Sequence, residues 1–274
     1  MAIDPAAVLA WGQPRLRDLP WRAVRDPWRI LVAEVMLQQT RIERVIPKWE
    51  RFCDSYPTPA DCADVSLAEI LRLWQGLGYP RRAVHLHAAS RIIRDEHGGH
   101  VPDELDQLLE LPGVGAYTAR ALLAFAFERD VAVVDTNIAR VLARTSGSRL
   151  TPKQAQWAAD DLVPLHHGWS WNQIMMDLGA MVCRPEPQCD QCPITGGCAW
   201  YRSSHPHPDP ATGSAGVSRP QAPYEGSDRQ KRGQVLADLL GGMQPAARFD
   251  ARIVKGLVDD GLVERLGDQI RLPE

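Results

Sequence analysis

Four cysteines, Cys183, Cys189, Cys192 and Cys198, are spaced C-x5-C-x2-C-x5-C in a stretch dense with proline, glutamine and glycine. Four thiolates brought together on such a loop can surround one soft centre. Tetrahedral zinc and a 4Fe-4S cluster both accept that donor set, and the spacing alone does not choose between them. The remaining two cysteines, Cys53 and Cys62, stand apart in helical or turn-like surroundings and read as small buried thiols. Six cysteines in 274 residues fall well below the density of a small disulfide scaffold, so a reducing compartment and a metal site are expected.

The second constellation is acidic. Trp28 to Leu37 is strongly apolar, and Glu34 is the acid among Ile30, Leu31, Val32, Ala33, Val35, Met36 and Leu37. Burial there favours the protonated carboxyl, as a general acid requires; the plainer reading puts Glu34 on a solvent stripe. Val131-Ala132-Val133-Val134 leads into Asp135-Thr136-Asn137 and a helix, where Asp135 is at least a helix cap. Opposite Glu34 it would complete a pair able to break a glycosidic bond, one group protonating the leaving group and the other stabilising an oxocarbenium-like centre. A third motif, Leu111-Pro112-Gly113-Val114-Gly115 between two helical runs, is either an ordinary helix-helix turn or a seat for a phosphate at a helix N-terminus.

Helices must position these groups. From about Asp26 to Trp200 apolar residues recur three and four apart, as in Leu67, Ile70, Leu71 and Trp74, and strand-like alternation is scarce, so a mainly α protein of about ten helices is expected. Residues Ser203 to Asp228 are rich in Pro, Gly, Ser and His and read as a linker. Beyond it, Gly233 to Leu240 and Ala247 to Val258 read as short helices. Leu262 to Arg265 with Gln269 to Leu272 reads as a hairpin turning at Gly267-Asp268, an order compatible with a small winged-helix-like tail. Apolar runs fall far short of the ~18 residues of a membrane span, and Met1 to Gln13 lacks a signal pattern, which argues against membrane and secretion. With 31 basic and 34 acidic side chains, a net charge of -3, bulk electrostatics give no argument for a nucleic-acid partner.

Taken together, Leu19-Pro20-Trp21-Arg22, Glu34-Val35-Met36-Leu37-Gln38-Gln39-Thr40, Gly76-Leu77-Gly78-Tyr79, Leu111-Pro112-Gly113-Val114-Gly115, Val134-Asp135-Thr136-Asn137 and Asn172-Gln173-Ile174-Met175-Met176-Asp177-Leu178-Gly179 resemble the MutY branch of the helix-hairpin-helix DNA glycosylases, the A/G-specific adenine glycosylases. The resemblance spans about Leu19 to Trp200. It implies a two-lobed helical fold in which residues 1–21 pack with a cluster lobe, 22–135 form a six-helix lobe with the helix-hairpin-helix and 136–202 form the cluster lobe. A linker over 203–228 and a tail over 229–274 complete the expected organisation. It implies double-stranded DNA as partner and an adenine flipped from opposite 8-oxoguanine or guanine into a cleft between the lobes. Glu34 then protonates adenine and Asp135 stabilises or traps the sugar cation, supported by Tyr117 and Asn137. Tyr117 stands where lyase relatives similar to endonuclease III carry a Schiff-base lysine, which implies a monofunctional enzyme. Gln39 and Tyr79 match residues that fill the stack around the lesion pair, beside Thr40. Arg17, Leu19, Trp21, Arg22 and Asp177 match the adenine pocket, and Pro112, Gly113, Val114 and Gly115 the DNA-backbone contact.

By resemblance the four cysteines hold a 4Fe-4S cluster, although the first gap is five residues where the family has six. The resemblance also implies a monomer of the bacterial cytoplasm, associated with the nucleoid, with a tail too short for the MutT-like domain of longer members. Two other readings are weighed beside it: a related glycosylase with another mismatched or oxidised base as target, and a helix-hairpin-helix module that binds DNA without catalysis. The joint presence of Glu34, Asp135 and Tyr117 argues against the last.

Overall fold

A computed structural model describes residues 3–215 and 223–274. Contacts divide the chain into two compact units, and each is assembled from two separated stretches. One unit holds Asp26–Gly115 and the C-terminal tail; the other holds the residues through Arg25 and those from Ala116 up to the tail.

The helix α1 (Pro5–Gly12), capped by the Asp4 side chain, opens the second of these units. The first unit then runs α2 (Pro27–Leu37), α3 (Ile42–Ser55), α4 (Pro59–Ala63), α5 (Leu67–Trp74), α6 (Arg81–Glu96) and α7 (Leu105–Glu110). The starts follow capping chemistry: Asp26 accepts from the Arg29 N–H, Thr58 forms a reciprocal capping box with Asp61, and Ser66 accepts from the Glu69 N–H. Within this unit α4 and α5 pack on α6, α2 packs on α3 and α6, and α3 packs on α5. The Trp28 indole N–H donates to the Tyr56 carbonyl at 3.0 Å and fixes the start of α2.

The other unit resumes with α8 (Ala116–Phe125), α9 (Thr136–Ser146), α10 (Pro152–Asp160), α11 (Gly168–Met181) and α12 (Ala199–Arg202). Here α9 is central, packed by α10, α11 and α12, while α1 lies on α11. A Cβ on Gly12 would stand 2.1 Å from Ile174 Cγ2, so α1 and α11 approach at a spacing that only glycine permits.

The tail contains α13 (Asp228–Leu239), β1 (Gln244–Pro245), α14 (Ala251–Asp259), β2 (Glu264–Leu266) and β3 (Gln269–Arg271). The expected hairpin forms, with Leu266 opposite Gln269 across the Gly267-Asp268 turn. A third strand joins it, because β1 pairs with β3 to give the antiparallel order β1-β3-β2, a sheet compatible with a winged-helix-like tail.

The stretch expected as a linker begins with packed residues. The linker was expected from Ser203, but Asp209 pairs with Arg144 at 2.6 Å and the Ser214 hydroxyl accepts from the Leu150 N–H at 3.1 Å, so Ser203 to Ala215 is packed against α9 and α10's approach. The remainder, 216–222, lies outside the described residues. The tail is seated on the unit it belongs to. The Ala68 N–H donates to the Pro273 carbonyl at 3.0 Å and Arg81 faces Asp260 at 3.6 Å, which joins the tail to the unit built on α2 to α7.

Candidate active site and cysteine centre

Glu34 is buried, with 6% of its surface exposed, in a helix where the apolar residues Leu31, Val32, Ala33, Val35 and Met36 around it in the chain are buried too. The solvent-stripe reading is thereby excluded. Below Glu34 the end of α2 is organised by Arg82, a buried cation from α6. Its Nη1 donates to the carbonyls of Val35, Met36 and Gln38, and its Nη2 to Thr40 Oγ1 and the carbonyls of Leu77 and Gly78. The Thr40 hydroxyl also donates to the Leu77 carbonyl at 3.1 Å, tying the loop after α2 to the loop after α5. The two expected lesion-stack residues sit at the tips: Gln39 is exposed with φ +57° and Tyr79 half-buried with φ +47°. Both adopt the left-handed region that non-glycine residues enter only at a cost, about 1–3 kcal/mol where the surroundings enforce it.

In the other unit Asp135 is indeed the N-cap of α9, its Oδ1 accepting from the Ile138 N–H at 2.7 Å. Its second oxygen is not idle, for Oδ2 accepts from Asn137 Nδ2 at 2.8 Å. Asn137 in turn accepts from Arg140 Nη2, which also donates to the Gly179 carbonyl, while Arg140 Nε donates to the Cys183 carbonyl at 2.6 Å. Burial pushes the Asp135 carboxyl up from the usual aspartate range; the Ile138 and Asn137 hydrogen bonds and the Arg140 charge oppose that shift without cancelling it. The approach to Asp135 is fixed by Asn172, which accepts from the Val133 N–H and donates to the Val131 carbonyl. Gly179 lets α11 come close enough that a Cβ there would lie 2.7 Å from the Asn137 backbone oxygen. Tyr117, half-buried, stands in the first turn of α8.

Arg17, Arg22 and Asp177 are brought together. Asp177 accepts from Arg22 Nη1 and Nη2 at 2.7 and 2.9 Å, from Arg17 Nε at 2.6 Å and from the Arg17 N–H at 3.0 Å. Burial alone would raise its carboxyl, yet the Arg22 fork and the Arg17 contacts hold it below the usual carboxylate range. With only 2% of the Asp177 side chain exposed, these four bonds occupy it fully, so its role is to fix the two arginines. Removing one partner from such a buried pair costs about 3–5 kcal/mol. Leu19, at the cap of the short 3-10 turn Pro20–Arg22, and Trp21 within it are buried. In the first unit the Pro112-Gly113-Val114-Gly115 turn has Val114 buried and Gly113 at φ +78°, where a Cβ would also stand 2.7 Å from His85 Cβ.

All four clustered cysteines line one cavity of about 20 Å³, together with Val182, Ile194, Trp200 and Tyr201. No three of the described His, Cys, Asp or Glu side chains already stand in a ligating arrangement. Arg144, 2% exposed, donates to Cys183 Sγ at 3.4 Å and to the Arg184 carbonyl at 2.6 Å, and Cys189 Sγ lies 3.5 Å from His205 Nε2. Burial pushes the Cys192 thiol up to about 11, and those of Cys183 and Cys189 upward as well. Cys53 and Cys62 are the buried thiols expected, both pushed to about 12 by burial.

Sequence reasoning missed Arg82, Arg140, Arg144 and Asp209. The arginines' partners are mostly backbone carbonyls far along the chain, and Asp209 pairs with Arg144 itself, contacts that leave no mark in residue type or spacing. Of the expected residues, the structure joins Asp135 to Asn137, Arg17 and Arg22 to Asp177, Thr40 to the Leu77 carbonyl, and the four cysteines to one another's surroundings. Glu34 and Asp135 fall in different units.

Comparison with known proteins places this geometry in context. Residues 32–164 match the HhH-GPD superfamily base excision DNA repair protein family, a range that includes Glu34, Tyr117, Asp135 and Asn137. The adenine DNA glycosylase of Mycobacterium tuberculosis is 40% identical, with 97% of this chain and 92% of that protein covered. The human adenine DNA glycosylase is 39% identical over 70% of this chain and 38% of its own length. Among solved structures, a thermostable thymine-DNA glycosylase superposes with a TM-score of 0.70 at 32% identity, covering 73% of this chain and 95% of that one.

Proposed function

The chain belongs to the HhH-GPD superfamily of base excision DNA repair proteins and, within it, to the adenine DNA glycosylases. On that premise we propose that it is a monofunctional glycosylase that removes adenine mispaired with 8-oxoguanine or guanine in double-stranded DNA. The observation that carries the reading is Glu34, a carboxyl buried among apolar side chains on a helix of the matched region. As the N-glycosidic bond breaks, its electron pair leaves with the base, and Glu34 supplies the proton that makes neutral adenine the leaving group. The sugar is left as an oxocarbenium-like cation, which an ionised Asp135 stabilises until water adds to the anomeric carbon and loses its proton. Asn137 and the Ile138 N–H favour that ionised form. Tyr117 offers no amine, so no imine forms with the abasic product.

The other residues act on position. Asp177 fixes Arg17 and Arg22, which with Leu19 and Trp21 line the base pocket, while Gln39, Thr40 and Tyr79 serve the lesion pair. The Pro112-Gly113-Val114-Gly115 turn presents backbone N–H groups to a phosphate. Cys183, Cys189, Cys192 and Cys198 fit a 4Fe-4S cluster by donor type and by their shared cavity, with Arg140 and Arg144 alongside to offset negative charge. When bound, the cluster supplies a covalent fold centre for this unit. Iron content and visible absorbance of the purified protein check that assignment; stoichiometric zinc without colour overturns it.

The decisive experiment is a panel of duplexes carrying single lesions, incubated under single-turnover conditions and treated with alkali to reveal abasic sites. Adenine is released from A:8-oxoguanine and A:G pairs, and borohydride traps no protein-DNA adduct. Because one relative in structure is a thymine-DNA glycosylase, the panel includes T:G. Release of thymine in place of adenine overturns the substrate, and no release from any duplex overturns catalysis.

A further inference from the structure

One guanidinium gathers more of this molecule's backbone than any other feature described above. Arg82 Nη1 contacts the carbonyls of Val35, Met36 and Gln38 at 2.9, 2.8 and 2.5 Å, and Nη2 contacts Thr40 Oγ1, Leu77 O and Gly78 O at 2.9, 3.1 and 2.9 Å. Among the described residues it forms no ion pair; its charge is met by carbonyl dipoles and by the faces of Trp74 and Tyr79, each 5.4 Å from its Cζ. Val35 and Met36 belong to the last turn of α2, whose carbonyls lack intrahelical partners and carry the negative end of the helix dipole. A cation is the complement such a helix end asks for. Burial lowers the Arg82 pKa to about 10, still well above neutrality, so the charge persists.

Beyond the end of α2, the other four acceptors belong to two loops, and the positions are specific. Gln38 and Thr40 flank Gln39, while Leu77 and Gly78 immediately precede Tyr79. Gln39 and Tyr79 are the two residues here whose backbones are held at φ +57° and +47°, and a relaxation of either to ordinary φ would turn its side chain away. Nη2 alone bridges Thr40 of one loop and Leu77-Gly78 of the other, while Nη1 adds the end of α2 and the Gln38 carbonyl; the single ammonium of lysine, with three protons, cannot satisfy both sets.

We propose that Arg82 is a specificity-determining positioning residue, clamping the loops of Gln39 and Tyr79 in one fixed relation and so setting how strongly 8-oxoguanine is distinguished from guanine opposite adenine. This rests on the adenine glycosylase reading above. Arg82 itself touches neither base nor sugar; it acts through the two loop residues that it holds in strained conformations.

The test compares the full-length wild type with R82K and R82Q, and with L86A as a control. Leu86 is buried on the same helix and is remote in role from both loops. Single-turnover rates are measured on A:8-oxoguanine and A:G duplexes, with hydrogen exchange followed at the amides of 38–40 and 76–79. In R82K the ratio of the two rates falls by at least about tenfold, a difference of ~1.4 kcal/mol in barrier, and exchange rises in both loops together. L86A lowers the melting temperature and leaves the ratio in place. R82Q gives the same answer should R82K fail to accumulate. A ratio within about twofold of wild type in the arginine variant, or an equal fall in L86A, overturns the proposal. A wild type that releases no adenine overturns the underlying reaction instead, and the proposal with it.

Discussion

Glu34→Gln folds, binds duplex with affinity close to wild type, and releases adenine at least about a hundredfold more slowly, the low end of what a positioned general acid contributes. Glutamine reproduces the volume and planar shape of the carboxyl in its apolar setting on α2, so packing around Ile30, Leu31 and Val35 survives. What the amide lacks is a proton it can give. Adenine leaving as an anion is a poor leaving group, and only its protonation makes departure competitive, so the loss falls on the chemical step rather than on binding. Rapid-quench measurement of base release with enzyme in excess over duplex separates the two. Release at near wild-type rate in this variant would remove Glu34 from the mechanism.

Asp135→Asn separates two roles that coincide in one side chain. Asparagine is as good an N-cap as aspartate, so the Ile138 N–H keeps a partner and α9 keeps its start. It carries no charge, however, and base release falls by at least about a hundredfold, or ~2.7 kcal/mol, because nothing stabilises the sugar cation as it forms. Stability moves the other way. Burial raises the Asp135 pKa in the folded protein, so the ionised carboxylate disfavours folding above its unfolded pKa, and the neutral amide relieves that penalty. The variant therefore melts at or above the wild-type temperature at neutral pH while losing activity. The same raised pKa places the acid limb of the wild-type rate profile above the value of about 4 expected of an ordinary aspartate, since protonation abolishes the required charge. A variant that melts lower and remains active would reduce Asp135 to a cap.

The acid at Glu34, the cap at Asp135, the cysteine cluster and the Gly267-Asp268 turn were legible because each announces itself locally. An isolated carboxylate in an apolar run, a cap residue before a periodic segment, a crowd of thiols and a two-residue glycine turn are all written within a dozen residues. Arg82, Arg140 and Arg144 were not legible, since a buried arginine on a helix looks like any solvated one until its acceptors are known. Their acceptors are carbonyls at Gln38, Gly179, Cys183 and Arg184, whose position depends on the assembled fold. The seating of the tail was not legible for a related reason, since the Ala68 N–H to Pro273 contact that holds it involves only main chain. Likewise β1 is two residues long, too short to leave a period in the sequence.

The interleaving of the two units constrains how the chain is made. α1 finds its place only against Ile174, and Ala68 meets Pro273, so each unit is interrupted by residues of the other. At ribosomal speeds of about 5–20 residues per second, the roughly 160 residues between Gly12 and Ile174 leave α1 without its partner for about ten to thirty seconds. During that interval Val8, buried in the finished fold, is exposed on a nascent chain. Holding chaperones have an opportunity there, before either half can close. No single cut of the polypeptide delivers both units whole, and a split version of this protein would have to reassemble from fragments that each carry part of both.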